Sequence, residues 1–178
     1  GCGAVGLNAI QGARLAGAGL IIAGDVTDEK LDRAKTFGAH TRVDAAAPDV
    51  LQQLRGMTQG RGPDYVFEAA GSEKGFRLAV EAVRPGGQVV FLGKVNVNQD
   101  VSFRWGSLMG EKRIVRSSYG GGRPRRDFPW LARLYLEGKL MLDELITRRL
   151  RLEEINDGFA MMARGEGIRS VVQFDALD

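Results

Sequence analysis

The sequence predicts a doubly wound α/β fold built around a parallel sheet. Three observations carry that expectation. Short apolar runs alternate with helical patterns of about ten residues, the grammar of parallel βαβ units. A glycine-spaced turn, Gly1-Cys-Gly-Ala-Val-Gly6, runs straight into a helical pattern. The first apolar run after that helix closes on an acid, Asp25.

Each element can be justified in chain order. Leu7 to Ala16 carries Ala9, Ile10, Ala13 and Ala16 at helical spacing, and Gly17 and Gly19 stop it. Leu20 to Asp25 is a short apolar run suited to a buried parallel strand. Thr27 stands where a helix over Asp28 to Phe37 needs a cap, and Gly38 is its left-handed terminator. Thr41 to Asp44 reads as a strand, Pro48 to Arg55 as a helix, and Gly60-Arg-Gly-Pro63 as a turn. Tyr65 to Ala69 is the next strand, with Gly71 as its exit. Ser72 caps a helix with Phe76, Val80 and Val83 on one face, broken by Pro85-Gly-Gly87. Gln88 to Gly93 is the clearest buried strand, and Arg113 to Ser118 reads as one more.

Beyond Tyr119-Gly-Gly-Gly122 the character changes. Helices are expected over Asp127–Glu137, with Trp130, Leu131, Leu134 and Tyr135 on one side, and over Glu153–Ala163, with Ile155, Phe159 and Met162. Ile168 to Phe174 reads as a final strand. No repeat or low-complexity tract interrupts the order.

Composition narrows the function classes. With 178 residues, 44% hydrophobic, 26% charged and a net charge of +3, the chain has the balance of a soluble globular protein. No run approaches the roughly 20 apolar residues that span a bilayer, and no secretory signal is readable. The single cysteine, Cys2, fits a reducing compartment, so a cytoplasmic location and no membrane partner are expected. Arginines gather at Arg113, Arg116, Arg123, Arg125 and Arg126, and again at Arg148, Arg149 and Arg151. They alternate with apolar residues, lack aromatic stacking partners and have acidic neighbours, so a solvated surface is expected and not a nucleic-acid interface.

The glycine turn carries the chemistry. Alone, a G-x-G-x-x-G pattern says little, but this one opens a helix, and Asp25 ends the next strand 19 residues after Gly6, near the separation of about 20 of a dinucleotide (Rossmann) site. Gly1 permits the turn, Gly3 admits a pyrophosphate, and Gly6 lets the helix pack closely. Ala4 and Val5 stand at the helix N-terminus, whose N–H groups and dipole favour phosphate. Asp25 can accept both ribose hydroxyls and would repel a 2′-phosphate. NAD is therefore expected over NADP.

Longer stretches then resemble one family. Gly1 to Leu7, Gly24-Asp-Val-Thr-Asp-Glu-Lys-Leu31, Ala34 to Ala39 and Asp64-Tyr-Val-Phe-Glu-Ala-Ala-Gly71 are similar to the cofactor domain of zinc-containing medium-chain alcohol dehydrogenases. Ser118-Tyr-Gly-Gly121, Leu145-Ile-Thr147, Glu154 to Phe159 and Gly165 to Ser170 resemble that family's C-terminal part. The resemblance implies that Asp25 and Lys30 hold the adenosine ribose and that Val5 packs beside the nicotinamide. It implies that Leu92, Ser117 and Tyr119 offer backbone groups to the carboxamide, and that Arg169 reaches the pyrophosphate. Ser72 stands where the family often has an arginine. It further implies a small-molecule alcohol or aldehyde substrate and a homo-oligomer, dimer or tetramer, with Val101 to Phe103 as a contact edge. Residues 1–118 would be the cofactor domain and 119–178 the C-terminal part of the GroES-like catalytic domain.

The resemblance also implies a catalytic zinc, usually on two cysteines and a histidine. With one cysteine and one histidine, Cys2 and His40, no metal or catalytic residue is expected here, and the zinc ligands would belong to another part of the intact protein. Because a Rossmann turn follows a strand and Gly1 stands first, the chain reads as a C-terminal half without the first, central strand, expected to be poorly stable and inactive alone. A zinc-free quinone-type reductase of the same superfamily and a non-catalytic NAD-binding module are the alternatives.

Overall fold

The structure, a computed structural model, describes residues 1–174 and divides into two compact units, Gly1–Pro124 and the residues from Arg125 on. The first unit runs α1 (Ala4–Leu15), β1 (Ile22–Asp25), α2 (Asp28–Thr36), β2 (Thr41–Asp44), α3 (Val50–Met57), β3 (Tyr65–Glu68), α4 (Glu73–Ala82), β4 (Gln88–Phe91) and β5 (Arg113–Arg116). Every ladder is parallel, and helices separate the strands as the sequence predicts. The strands form a pair, β1-β2, and a triplet, β3-β4-β5, the division expected of a doubly wound sheet without its first, central strand. What joins them at the strand ends is the glycine turn: the Gly1 nitrogen donates to Gly24 O at 2.7 Å, and the other side of Gly1 lies against Ala69 and Ala70.

Local signals explain most boundaries. Gly17 and Gly38 adopt φ of +77° and +114°, the left-handed region where a side chain is strained, and so end α1 and α2. Ser72 caps α4 by accepting from Gly75 N at 3.0 Å. Thr27 occupies the cap position of α2 but its side chain makes no capping bond; Asp25 takes the Thr27 N–H instead. Acids open α2 (Asp28, Glu29) and bases close it (Arg33, Lys35), in the sense the helix dipole favours. The expected edge strand over Val101 to Phe103 does not form. That segment has no ladder, and Phe103 instead packs against Phe91 at 6.3 Å between ring centroids.

Helix α4 serves two cores. Its Ala82 joins Val43 of β2 with Val50 and Leu54 of α3, while its Ala79 and Val80, with Val83 just beyond, pack on Val89 of β4. Burial on both sides of one helix fixes the pair and the triplet to a shared element. Leu7 of α1 is completely buried.

The second unit contains α5 (Pro124–Leu136), β6 (Ile146–Leu150), α6 (Ile155–Ala163) and β7 (Arg169–Val172), with β6 and β7 parallel. The sequence pattern does not predict strand β6. A bulge between Ile146 and Arg148 frees Thr147 from the ladder's regular order, and its hydroxyl accepts from Ile168 N at 2.9 Å. Leu134, Leu140, Leu145 and Leu150 are buried. The last four positions of the expected 119–178 segment lie outside the described residues.

Candidate dinucleotide site

The geometry of the glycine turn follows from steric room. A Cβ at Gly1 would come within 2.6 Å of Ala70 N and 2.9 Å of Ala69 C, and one at Gly6 would overlap the Gly1 carbonyl. Neither position tolerates a side chain. Gly6 is therefore required chiefly by the turn beneath it; its contact with the sheet side, Ala69 Cβ at 3.6 Å, is ordinary van der Waals distance. Gly3 differs. A Cβ there meets no atom within 4 Å, so its glycine serves no packing need and leaves open space at the N-terminus of α1. Gly3 is the N-cap of α1, has no side-chain cap, and no acid follows in the first turn. Such an end presents unpaired N–H groups and the positive pole of the helix. Ala4 and Val5 form that first turn, with Val5 56% exposed.

Asp25 binds the turn to the end of β1. Its Oδ2 accepts from Cys2 N at 2.7 Å, and its Oδ1 from Val26 N at 2.8 Å and Thr27 N at 3.0 Å. The residue is only 9% exposed. Three backbone N–H groups thus bond this carboxylate, one on Oδ2 and two on Oδ1. Lys30, half-buried in the first turn of α2, is near enough for its charge to act on the Cys2 thiol. Burial pushes that thiol above its ordinary pKa, so Cys2 is a packed, protonated side chain. His40 accepts from Ile21 N at its Nδ1, 3.0 Å away, and holds the start of β1. No group of three or more His, Cys, Asp or Glu positioned to bind a metal occurs among the described residues.

At the ends of β4 and β5 the N–H groups of Leu92 and Ser117 are engaged within the fold. Leu92 N donates to Glu68 O at 2.8 Å, and Ser117 N to Phe91 O at 3.1 Å. The Arg116 guanidinium donates to Phe91 O at 2.9 Å and also to Ser117 O. Tyr119 is fully exposed, with a left-handed φ of +49°. These three sequence-derived positions thus sit together at the C-terminal ends of the triplet. Arg169 belongs to the second unit, at the start of β7, where its N–H points to Thr147 Oγ1 at 3.3 Å.

One residue escaped the sequence reading. Glu68 ends β3 as Asp25 ends β1, is 5% exposed, and accepts from Ala70 N and Gly71 N, each at 3.0 Å. The sequence shows an acid inside a strand pattern there, with no spacing to a motif that would single it out.

Comparison with known proteins gives these features a family. The chain is 40% identical to an alcohol dehydrogenase class-3 of Cereibacter sphaeroides and 37% identical to an S-(hydroxymethyl)glutathione dehydrogenase of Paracoccus denitrificans, in each case over 98% of this chain and 48% of the relative. The fold superposes on benzyl alcohol dehydrogenase of Acinetobacter calcoaceticus with a TM-score of 0.91 at 28% identity, covering 98% of this chain and 48% of that one. The chain spans about half the length of the curated relatives it matches. Residues 4–137 match the zinc-binding dehydrogenase family, and the chain belongs to that family.

Proposed function

We propose that this chain holds NAD for an oxidoreductase that interconverts an alcohol and an aldehyde or ketone. The observation that carries the reading is the pinned Asp25 carboxylate beside the open N-terminus of α1 at Gly3. The turn N–H groups and the helix pole match a pyrophosphate, and the strand-end acid matches an unphosphorylated ribose. Asp25 would accept one ribose hydroxyl and Lys30 would serve the other. Val5, Leu92, Ser117 and Tyr119 would receive the nicotinamide, and Arg169 is proposed on the family pattern as a cation for the pyrophosphate. Bound nicotinamide supplies or accepts the hydride, and a zinc held elsewhere in the intact protein would polarise the substrate oxygen. This chain's own part is to bind and orient.

The same reading assigns residues 1–118 to the cofactor domain and 119–178 to a part of the catalytic domain, and the division into two units near Pro124 supports that separation. The relatives' names make an alcohol, or S-(hydroxymethyl)glutathione as a thiol adduct of formaldehyde, the proposed substrate class. A cytoplasmic homo-oligomer belongs to the same proposal, supported by the exposed edge strand β5, where Ile114 and Val115 are 40% and 43% accessible; no helix among the described residues is long and apolar enough to cross a membrane. Calorimetric titration of the chain with NAD and with NADP tests the reading. NAD is expected to bind at least about tenfold tighter, since a 2′-phosphate beside a buried carboxylate is a like-charge contact. Equal or tighter NADP binding refutes it.

A further inference from the structure

We propose that Glu68 is the positioning residue of the cofactor cleft, holding the pyrophosphate side and the nicotinamide side in register through its two acceptors. The inference rests on the dinucleotide reading above.

Glu68 works at both ends of its own structure. Its backbone carbonyl receives Leu92 N at 2.8 Å and Gly93 N at 2.9 Å, which fixes the exit of β4. Its carboxylate receives Ala70 N and Gly71 N, which fixes the exit of β3. That second exit is the surface on which the glycine turn rests, because no Cβ fits between Gly1 and the Ala69–Ala70 backbone. A shift of the loop would therefore carry the turn, and the N–H groups at the start of α1, with it.

The carboxylate is also enclosed in a way that only glycines allow. A Cβ at Gly75, in the first turn of α4, would stand 2.5 Å from Oε1, and one at Gly93 would stand 2.5 Å from Oε2. Gly71 adopts φ of +68° and itself lies against Lys94, with 2.6 Å from its missing Cβ to the Lys94 carbonyl. Three glycines from three segments thus surround one acid. A core that needed only to be filled would use apolar side chains there; a carboxylate at 5% exposure is retained because the backbone N–H groups of the loop have it as acceptor. The parallel with Asp25 is direct. Each acid ends a parallel strand and gathers backbone donors, and the turn lies between the two strand ends.

The test measures NAD affinity of the chain by calorimetry, well below its unfolding temperature, with folding of every variant checked by circular dichroism. Glu68→Ala is expected to weaken NAD by about tenfold or more, the scale of lost hydrogen bonds to a charged acceptor. Glu68→Gln keeps an oxygen that can accept from Ala70 and Gly71, and is expected to bind within about threefold of the parent by the same measure. If Glu68→Ala does not fold, Glu68→Asp decides: its carboxylate is withdrawn by one methylene, and weakened NAD binding by the folded variant supports the role. A lowered unfolding temperature with unchanged NAD affinity in the folded variant overturns the proposal, since that is what mere packing would give. Failure of the parent chain to bind NAD would instead remove the dinucleotide reading itself.

Discussion

The two acid-ended strands make an instructive comparison. The Asp25 carboxylate reaches across 23 residues of sequence to the Cys2 N–H, whereas the Glu68 carboxylate accepts from the loop that follows it, two and three residues on. Both are nearly buried and both spend most of their acceptor capacity on backbone. The difference lies in what remains. Asp25 follows the turn that leaves open space at Gly3, while Glu68 is walled in by Gly75 and Gly93. On the proposed reading, one acid both builds the cleft and faces it, and the other only builds it. A carboxylate at a strand end is first a structural acceptor, and ligand recognition is added where geometry leaves room.

Substitutions can break or sharpen that contrast. The largest effect is expected at Gly6, where any Cβ overlaps the Gly1 carbonyl: Gly6→Ala should cost about 3 kcal/mol or more of stability, as overpacking does, and abolish measurable NAD binding. Gly3→Ala is the matched control. Its Cβ meets nothing, so thermal stability should hold while NAD affinity falls; a stable variant with parental affinity would show that the open space at Gly3 is not where the cofactor lies. Next comes Asp25→Ala, which strands the Cys2, Val26 and Thr27 N–H groups and should lose about 2–3 kcal/mol in chemical denaturation. It should also narrow the gap between NAD and NADP affinities, which Glu68→Ala should not.

Two smaller effects follow from protonation. The Cys2 thiol is held above its ordinary pKa by burial, so at pH 8 it stays protonated and should alkylate far more slowly in the folded chain than after denaturation. Rapid modification of the folded chain would mean that the turn opens. The smallest effect concerns Asp64, whose carboxyl is held below the usual range by its hydrogen bond from Arg84 at 2.5 Å. That pair's contribution is present above the ordinary aspartate pKa and lost as pH falls through the lowered one. Asp64→Asn should therefore flatten the acid limb of the stability profile slightly and leave neutral pH almost unchanged.

Much of this could be read from residues alone. Strand-helix alternation, the glycine terminators and the Ser72 cap are local, and they reappear with boundaries moved by a few residues. Asp25 was found because its distance from Gly6 is a sequence quantity. Glu68 carries no such spacing; its importance depends on Gly75 and Gly93 closing over it, which only tertiary contact reveals. Strand β6 was hidden for another reason: Ile146-Thr-Arg-Arg-Leu150 has two adjacent arginines where alternation should be, and the bulge at Thr147 accounts for the broken pattern. Val101 to Phe103 failed in the opposite direction, since alternating apolar residues there pack through Phe103 without finding a ladder partner. The division of the sheet into a pair and a triplet was legible too, because the doubly wound order without its first, central strand leaves two strands on one side and three on the other.

The most direct measurement of the central claim is a crystal structure of the chain with NAD. The account predicts pyrophosphate density over the first turn of α1 at Gly3 to Gly6, with an adenosine ribose hydroxyl within hydrogen-bond distance of Asp25. A dinucleotide bound away from that turn, or one whose ribose does not touch Asp25, would contradict it.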